Sequence, residues 1–462
     1  MKKYIRTIAI LLVVAAIIVA CFSACERKEE GTDEGIVITF VTGFENDDPP
    51  IIIEPRTSTL AKPAGMPEDP WKVGYNFLGW FYDEEGTLPF STKDGLKTDT
   101  TLYAKWEKKR ADAGEVETPS VIESPEGLRY KLKEDESFAL VGYSGKAAEI
   151  TVPKSYEGKK VTSVSEGAFG GNSTLTKIIL PETVKEIEDG AFYGCSSLLA
   201  IEVSAANEVF LAEDGVLYAS DKTELVAVGQ ARSEALPVSN RVAAIRGYAF
   251  GGGAYEVAFK ENSSLEAVGS YAFAGFNGKV TLGGNITSIR RRAFYDSKAE
   301  IVFGQDFALD SLAMGEFDGY KGAKLVLPSS IKSISGSPFF GSTAEIDFTA
   351  TGIKSLGEAA FSGYEGETLV IPYFVESTGR NCFYRCSSKI TFDERTAYET
   401  IGEYAFNQFC GEVTFPDTVK SVGEYAFYAV RYGKIIFPVS RGSLSIAENA
   451  FSLCNVKNVY FA

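Results

Sequence analysis

From residue 128 to 462 the apolar positions recur with a period far longer than that of a helix or a strand. A phenylalanine stands at 169, 192, 250, 273, 294, 317, 339, 361, 383, 406, 427 and 451, and apart from one interval of 58 residues the spacings are 21 to 24. Nine of these twelve follow an alanine directly; Glu316, Pro338 and Cys382 precede the other three. Five residues before the ring stands Val164, Ile187, Ile245, Val268, Ile289, Leu312, Ile334, Leu356, Thr378, Ile401, Val422 or Ile446, aliphatic everywhere except Thr378. Further upstream lies an alternating β-prone run that ends in proline, as in Ile178-Ile179-Leu180-Pro181, Leu325-Val326-Leu327-Pro328 and Leu369-Val370-Ile371-Pro372.

A unit of about 22 residues cannot bury its own apolar face, whereas stacked copies share one continuous core. The alternating run sends every second side chain inward, and proline ends it by removing a donor. Alanine before the ring lets neighbouring coils approach while the phenylalanine fills the interior. About twelve coils at the strand spacing of about 4.8 Å extend roughly 55–60 Å. The 58-residue interval holds one repeat and an excess near 205–235, where Gly215-Val216-Leu217-Tyr218 and Leu225-Val226-Ala227-Val228 flank Ser220-Asp221-Lys222-Thr223. That pattern predicts a β-hairpin bulging from the solenoid.

Two residues before the repeat phenylalanine the chain places Tyr248, Tyr271, Tyr404 and Tyr425, where other repeats carry Gly, Arg, Ser, Ala or Asn. A position open to both glycine and tyrosine is expected to be loosely packed and on the surface. Neighbouring coils then set the pairs 248/271 and 404/425 one strand spacing apart, as small aromatic patches. Two roles stay open for them. They contact a partner, since tyrosine supplies amphipathic area at little entropic cost, or they stack on one another and shield the coil edge.

The amino-terminal part is organised differently. Met1 to Thr7 carries three positive charges, and Ile8 to Ala20 is an unbroken apolar run. This is the layout of an export signal over 1–20, short for a membrane span; a transmembrane anchor extended through Ala24 is the competing reading. Residues 21–35 are a charged tether. A small domain over 36–107 opens with Ile36-Val37-Ile38-Thr39-Phe40-Val41 and closes with the half-buried strand Thr101-Leu102-Tyr103-Ala104-Lys105-Trp106. Residues 108–127, acidic with Pro119 and Pro125, form a linker.

Composition narrows the chemistry. The 462 residues carry a formal net charge of -16, so nucleic acid is an unsuitable partner. With no histidine anywhere, Ser-His, Cys-His and His-ligated metal arrangements are excluded. No G-x-S-x-G elbow, phosphate loop or dinucleotide fingerprint occurs, and no pair of carboxylates is marked out by spacing. No cofactor is expected, and the chain is not expected to be an enzyme. Cys195, Cys386 and Cys454 each stand three residues after a repeat phenylalanine and Cys382 replaces the alanine, which predicts buried positions rather than ligands. With Cys410 they number five, against a full disulfide framework.

These motifs carry resemblances. Ile18-Val19-Ala20-Cys21 resembles a bacterial lipobox, which implies acylation of Cys21; Phe22-Ser23-Ala24-Cys25 makes Cys25 the alternative. Gly74-Tyr75-Asn76-Phe77-Leu78-Gly79-Trp80 with Asp99-Thr100-Thr101-Leu102-Tyr103-Ala104-Lys105-Trp106 resembles the Listeria–Bacteroides repeat, the B-repeat of internalins, which implies a β-grasp-like spacer or adhesive module. Glu45 to Pro50 departs from that pattern, where the family usually has a glycine-rich turn. The repeat over 128–462 resembles the BspA-type leucine-rich repeat, without the asparagine ladder of better-known leucine-rich repeats. The expectation is a mainly β chain: a leucine-rich-repeat solenoid of about twelve coils and a small β-grasp-like domain. The resemblance implies a lipid-anchored protein on the extracellular face of the bacterial envelope. Its partner is a host or bacterial surface macromolecule, a protein in adhesion or a glycan in nutrient capture.

Overall fold

The computed structural model describes residues 36–41, 56–58, 75–83, 90, 100–108 and 121–461, except 260–262, 284, 306 and 439–443. The expected export signal, Cys21, Cys25, the tether and the turn at 45–50 lie outside the described residues. The chain divides into two units, 1–117 and 118–462. Among the described residues no helix is long and apolar enough to cross a membrane.

In the first unit, strands Ile36–Val41, Arg56–Ser58, Tyr75–Phe81 and Thr100–Lys108 form one sheet. The first and last strands are its parallel centre, and each pairs antiparallel with an edge strand. This is the strand arrangement of a β-grasp sheet. Ile38, Phe40, Trp80 and Leu102 are its buried core, and the rings of Phe40 and Trp80 meet edge-on at 5.0 Å.

The second unit is the solenoid, all β with about fourteen turns. Each turn contributes one longer strand, such as Lys279–Leu282, and one two-residue strand, such as Ser288–Ile289, to two parallel stacks. The aliphatic residue five before the phenylalanine ends the short strand and points inward; Val164, Leu312 and Leu356 are at most 1 % exposed. Thr378, the polar exception, is also buried, with its hydroxyl 2.8 Å from the hydroxyl of Tyr398. The phenylalanines stack ring over ring from Phe250 to Phe451 with centroids 4.7 to 6.1 Å apart. A small residue is favoured beside them because the phenylalanine N–H donates to the carbonyl of the residue before the next ring, as from Phe273 to Ala293 at 2.8 Å. Cys382 and Pro338 accept the same bond, from Phe361 and Phe317, so the place favours a small side chain without requiring alanine.

The turns exceed the twelve phenylalanine corners because two long strands have no such corner after them. Val459–Phe461 is the last strand, and Ala200–Val203 is followed by the inserted segment. That segment does not bulge outward. Strands Phe210–Glu213, Val216–Ala219 and Glu224–Val228 form an antiparallel meander whose last member runs parallel to Ala244–Ile245 at the start of the next short-strand stack. Its alternate residues face two cores: Leu217 and Val226 pack with residues 128–227, while Val216, Tyr218, Leu225 and Val228 pack with residues 216–454. The two runs expected as a bulging hairpin are apolar on both faces, and this buries them instead. The meander is a wall across the solenoid, and the long-strand stack stops at Ala200–Val203 and resumes at Leu236–Val238.

At the amino end, Ile122–Glu123 pairs antiparallel with Leu128–Leu132, which pairs with Phe138–Tyr143. The solenoid therefore begins inside the segment expected as linker 108–127. Two residues of strand between prolines and acids are too short to show a period.

Candidate functional site

The phenylalanine corner is built from two consecutive tight turns. In the coil of Phe250, Ala249 N–H donates to the Arg246 carbonyl at 3.3 Å, and Gly253 N–H to that of Phe250 at 3.2 Å. Each such turn has a left-handed residue at its third place, as type II turns require. The residue two before the phenylalanine has φ between 53° and 76° in all twelve coils, from Gly167 through Tyr248, Tyr271, Arg292, Tyr404 and Tyr425 to Asn449. The residue two after it has φ between 50° and 81°, from Gly171 to Leu453.

This corrects the inference about packing. Glycine occurs two before the ring because it tolerates positive φ, not because the place is loose. The four tyrosines are half-buried. The ring of Tyr248 stacks on that of Tyr271 at 5.0 Å and 3°, and Tyr404 on Tyr425 at 5.0 Å and 18°. The two expected pairs exist, each inside a larger cluster.

In the first cluster Tyr193 adjoins Tyr248 at 4.9 Å, and Tyr295 meets Tyr271 edge-on at 5.8 Å. Arg292 donates from Nη1 to the Tyr271 hydroxyl at 2.7 Å, and its guanidinium lies 5.5 Å from the Tyr295 ring centre. Burial pushes the Tyr248 phenol up, and the bond to Tyr271 raises the Arg292 guanidinium. In the second, Tyr428 meets Tyr404 and Tyr425, and Arg380 lies 4.7 Å over the Tyr404 ring while donating to Glu403 at 3.0 Å. Tyr193, Tyr295 and Tyr428 stand one residue after a repeat phenylalanine and were not singled out from the sequence. The signal was available, because that place is aromatic again at Phe340 and Tyr384.

Two buried acids also escaped the sequence reading. Glu316 and Asp318 flank Phe317. Glu316 accepts from the Ala313 and Met314 amides at 3.0 Å, and Asp318 from Arg291 Nε at 3.1 Å. Desolvation holds both carboxyls above the usual range, outweighing the amides at Glu316 and the arginines at Asp318. Asp318 occupies the space beside Gly315 that a side chain there would need. Four of the five described cysteines are buried and Cys410 is half-buried, and burial raises the Cys195 thiol to about 11. Among the described residues no group of His, Cys, Asp or Glu is placed to hold a metal ion.

A last feature repeats along the outer edge of the long strands. Their first residues alternate in sign from coil to coil: Glu256, Lys279, Glu300, Lys324, Glu345, and again Lys389, Glu412, Lys434. Ion pairs link Lys279 to Glu300 at 3.2 Å, Lys324 to Glu345 at 2.8 Å and Lys434 to Glu412 at 3.2 Å.

Comparison with known proteins places this geometry. The BspA type leucine-rich repeat region matches over residues 143–221, 243–342, 310–412 and 399–462, and the Listeria-Bacteroides repeat domain over 39–105. No curated protein matches the chain. Among solved structures it is similar to a leucine rich cell surface protein from Faecalibacterium prausnitzii, at 17% identity and TM-score 0.33, covering 75% of this chain and 96% of that one. It is also similar to a leucine-rich repeat protein from Bacteroides ovatus, at 18% and 0.36 over 73% and 92%. A third is the pneumococcal vaccine antigen PcpA, at 15% and 0.32 over 75% and 85%. With more than half of its length matched by one repeat model, the chain belongs to the BspA type leucine-rich repeat family.

Proposed function

We propose that this protein is a lipid-anchored scaffold on the outer face of a bacterial cell that binds another macromolecule, a protein, through the tyrosine edge of its solenoid. The observation that carries the reading is the pair of stacked tyrosine ladders, each joined by an arginine, on the half-exposed corner of an otherwise acidic chain. Aromatic rings and arginines are the residues that concentrate binding energy at interfaces. Membership of a repeat family whose proteins serve as interaction scaffolds agrees with it. Tyr404 and Tyr425, then Tyr248 and Tyr271, are the contact residues, and acylation of Cys21, or of Cys25, supplies the anchor.

Replacing Tyr404 and Tyr425 together by glycine, which keeps the left-handed backbone, tests the binding face. Binding of the full chain to a panel of purified host-surface and matrix proteins falls about tenfold, or 1.4 kcal/mol, with the fold intact. Undiminished binding refutes the assignment. Mass spectrometry of the mature amino terminus tests the anchor, and two unmodified cysteines would refute it. The second reading, a glycan-capturing surface, is favoured if the same variant loses oligosaccharide binding instead.

A further inference from the structure

The place one residue after the repeat phenylalanine alternates along the carboxy-terminal half of the solenoid. Tyr295, Phe340, Tyr384 and Tyr428 stand there 44 or 45 residues apart, and Asp318, Ser362 and Asn407 occupy the coils between. Every second coil therefore raises an aromatic ring, at an interval of two strand spacings, about 9.6 Å. Tyr295 and Phe340 are 44% and 51% exposed, whereas Asp318 and Ser362, in the coils that follow them, are 3% and 6% exposed. The row is a series of raised rings parted by low polar places.

We propose that this row binds a neutral, flat β-1,4-linked polysaccharide chain of the cellulose or chitin type. In such a chain each sugar is turned over relative to the last. The same face therefore returns at every second sugar, a disaccharide's length, which two coils match. Each aromatic ring meets the C–H face of an alternate sugar, and the sugars between lie over Asp318, Ser362 and Asn407. A protein partner is better served by rings that adjoin, as in the apolar centre of an interface; here a polar place parts every pair. The net charge of -16 disfavours a polyanionic glycan.

The rings are held before any ligand arrives. Tyr295 and Phe340 lean the same way, each with Cδ2 and Cε2 against the glycine two after the next phenylalanine. Those glycines are Gly319 and Gly363, and the rings fill space that a Cβ there would need. Tyr384 has the Arg385 guanidinium 5.2 Å from its ring centre, and Arg385 Nε donates to Gln408 Oε1 at 3.0 Å. Tyr428 meets Tyr404 and Tyr425 edge-on at 5.9 Å. Rings that lose little freedom on binding keep more of the contact energy. Phe340 and Tyr384 lie outside both tyrosine ladders, so the row does not depend on the protein-binding reading.

Titration of the full chain with cello- and chito-oligosaccharides of increasing length tests it. A third sugar reaches a second ring and a fifth sugar a third ring, whereas a fourth reaches none. Pentasaccharides should therefore bind about tenfold more tightly than tetrasaccharides, and tetrasaccharides about as tightly as trisaccharides. The series that binds more tightly identifies the polymer. Maltopentaose, whose α-1,4 linkage coils the chain, should bind at least about tenfold more weakly. Every run of three rings includes Phe340 and Tyr384, so Phe340→Ser and Tyr384→Ser should each abolish the pentasaccharide gain with the fold intact. Val370→Ser, which changes an exposed valine on a long strand, should leave it unchanged. Absence of binding to both series overturns the proposal. So does equal binding of maltopentaose, a gain spread evenly over odd and even lengths, or full pentasaccharide binding by both single variants.

Discussion

Tyr248 and Tyr271 stack with their ring planes 3° apart although both hold left-handed backbone, at φ 59° and 58°. A bulky residue in that conformation costs about 1–2 kcal/mol, and the stacked pair returns about 0.5–1.5 kcal/mol beyond its burial. The two nearly cancel, which is why glycine, arginine and tyrosine all serve at this corner.

That balance makes a prediction. Tyr271→Gly removes the ring and the backbone strain together and should change stability by less than about 1 kcal/mol. Tyr271→Val loses the stack and puts a β-branched residue at positive φ, at a cost of about 2–3 kcal/mol. Urea denaturation of the two variants checks the order; equal losses would place the tyrosine's contribution in its ring alone.

The phenylalanine ladder predicts a gradient. Phe294, fully buried between Phe273 and Phe317, should lose about 3–5 kcal/mol on replacement by alanine. Phe451, in the last corner and only half-buried, should lose roughly half as much. Chemical denaturation compares them, and equal losses would contradict the stacking.

Lys279 stands between Glu256 and Glu300 at the same place in adjacent coils. Lys279→Glu sets three acids in a row, which should destabilise by about 1 kcal/mol at low salt, most of it recovered at 1 M salt. Lys279→Gln should cost only about 0.3 kcal/mol. Melting temperatures at two ionic strengths separate charge from packing.

Glu316 gives a pH dependence. Its folded carboxyl is held above the unfolded value by desolvation, so the folded state binds the proton more tightly. The folded state is then favoured below the unfolded value near pH 4.3, and that contribution is lost as pH rises through the folded value. Glu316→Gln, which keeps an acceptor for the Ala313 and Met314 amides, should gain stability relative to the parent between pH 4.5 and 7.5. A difference independent of pH would mean that the carboxyl titrates normally.

Much of this was legible in the sequence. The ring, the alanine before it and the aliphatic residue five before it are interior places where volume is fixed, so composition there is narrow and the period is visible. The tyrosine place is fixed by backbone conformation, and glycine, asparagine and tyrosine share little else, so side-chain reasoning misread it. Glu316 and Asp318 look like any surface acids, because only the neighbouring coils bury them. The alternation from Glu256 to Glu345 spans about 90 residues, and each charge alone reads as solvated surface. Opposite signs on adjacent coils appear only once the coils are aligned.

The wall at residues 210–228 changes how the solenoid fails. A stack of like coils frays from its ends, because each coil is held mainly by its neighbours. Here a melt that begins at one end reaches a bulkhead whose two faces belong to different cores. The stretch beyond keeps its own close-packed interior, so loss of one compartment need not flood the other, and the intact part remains folded as a separate cooperative block.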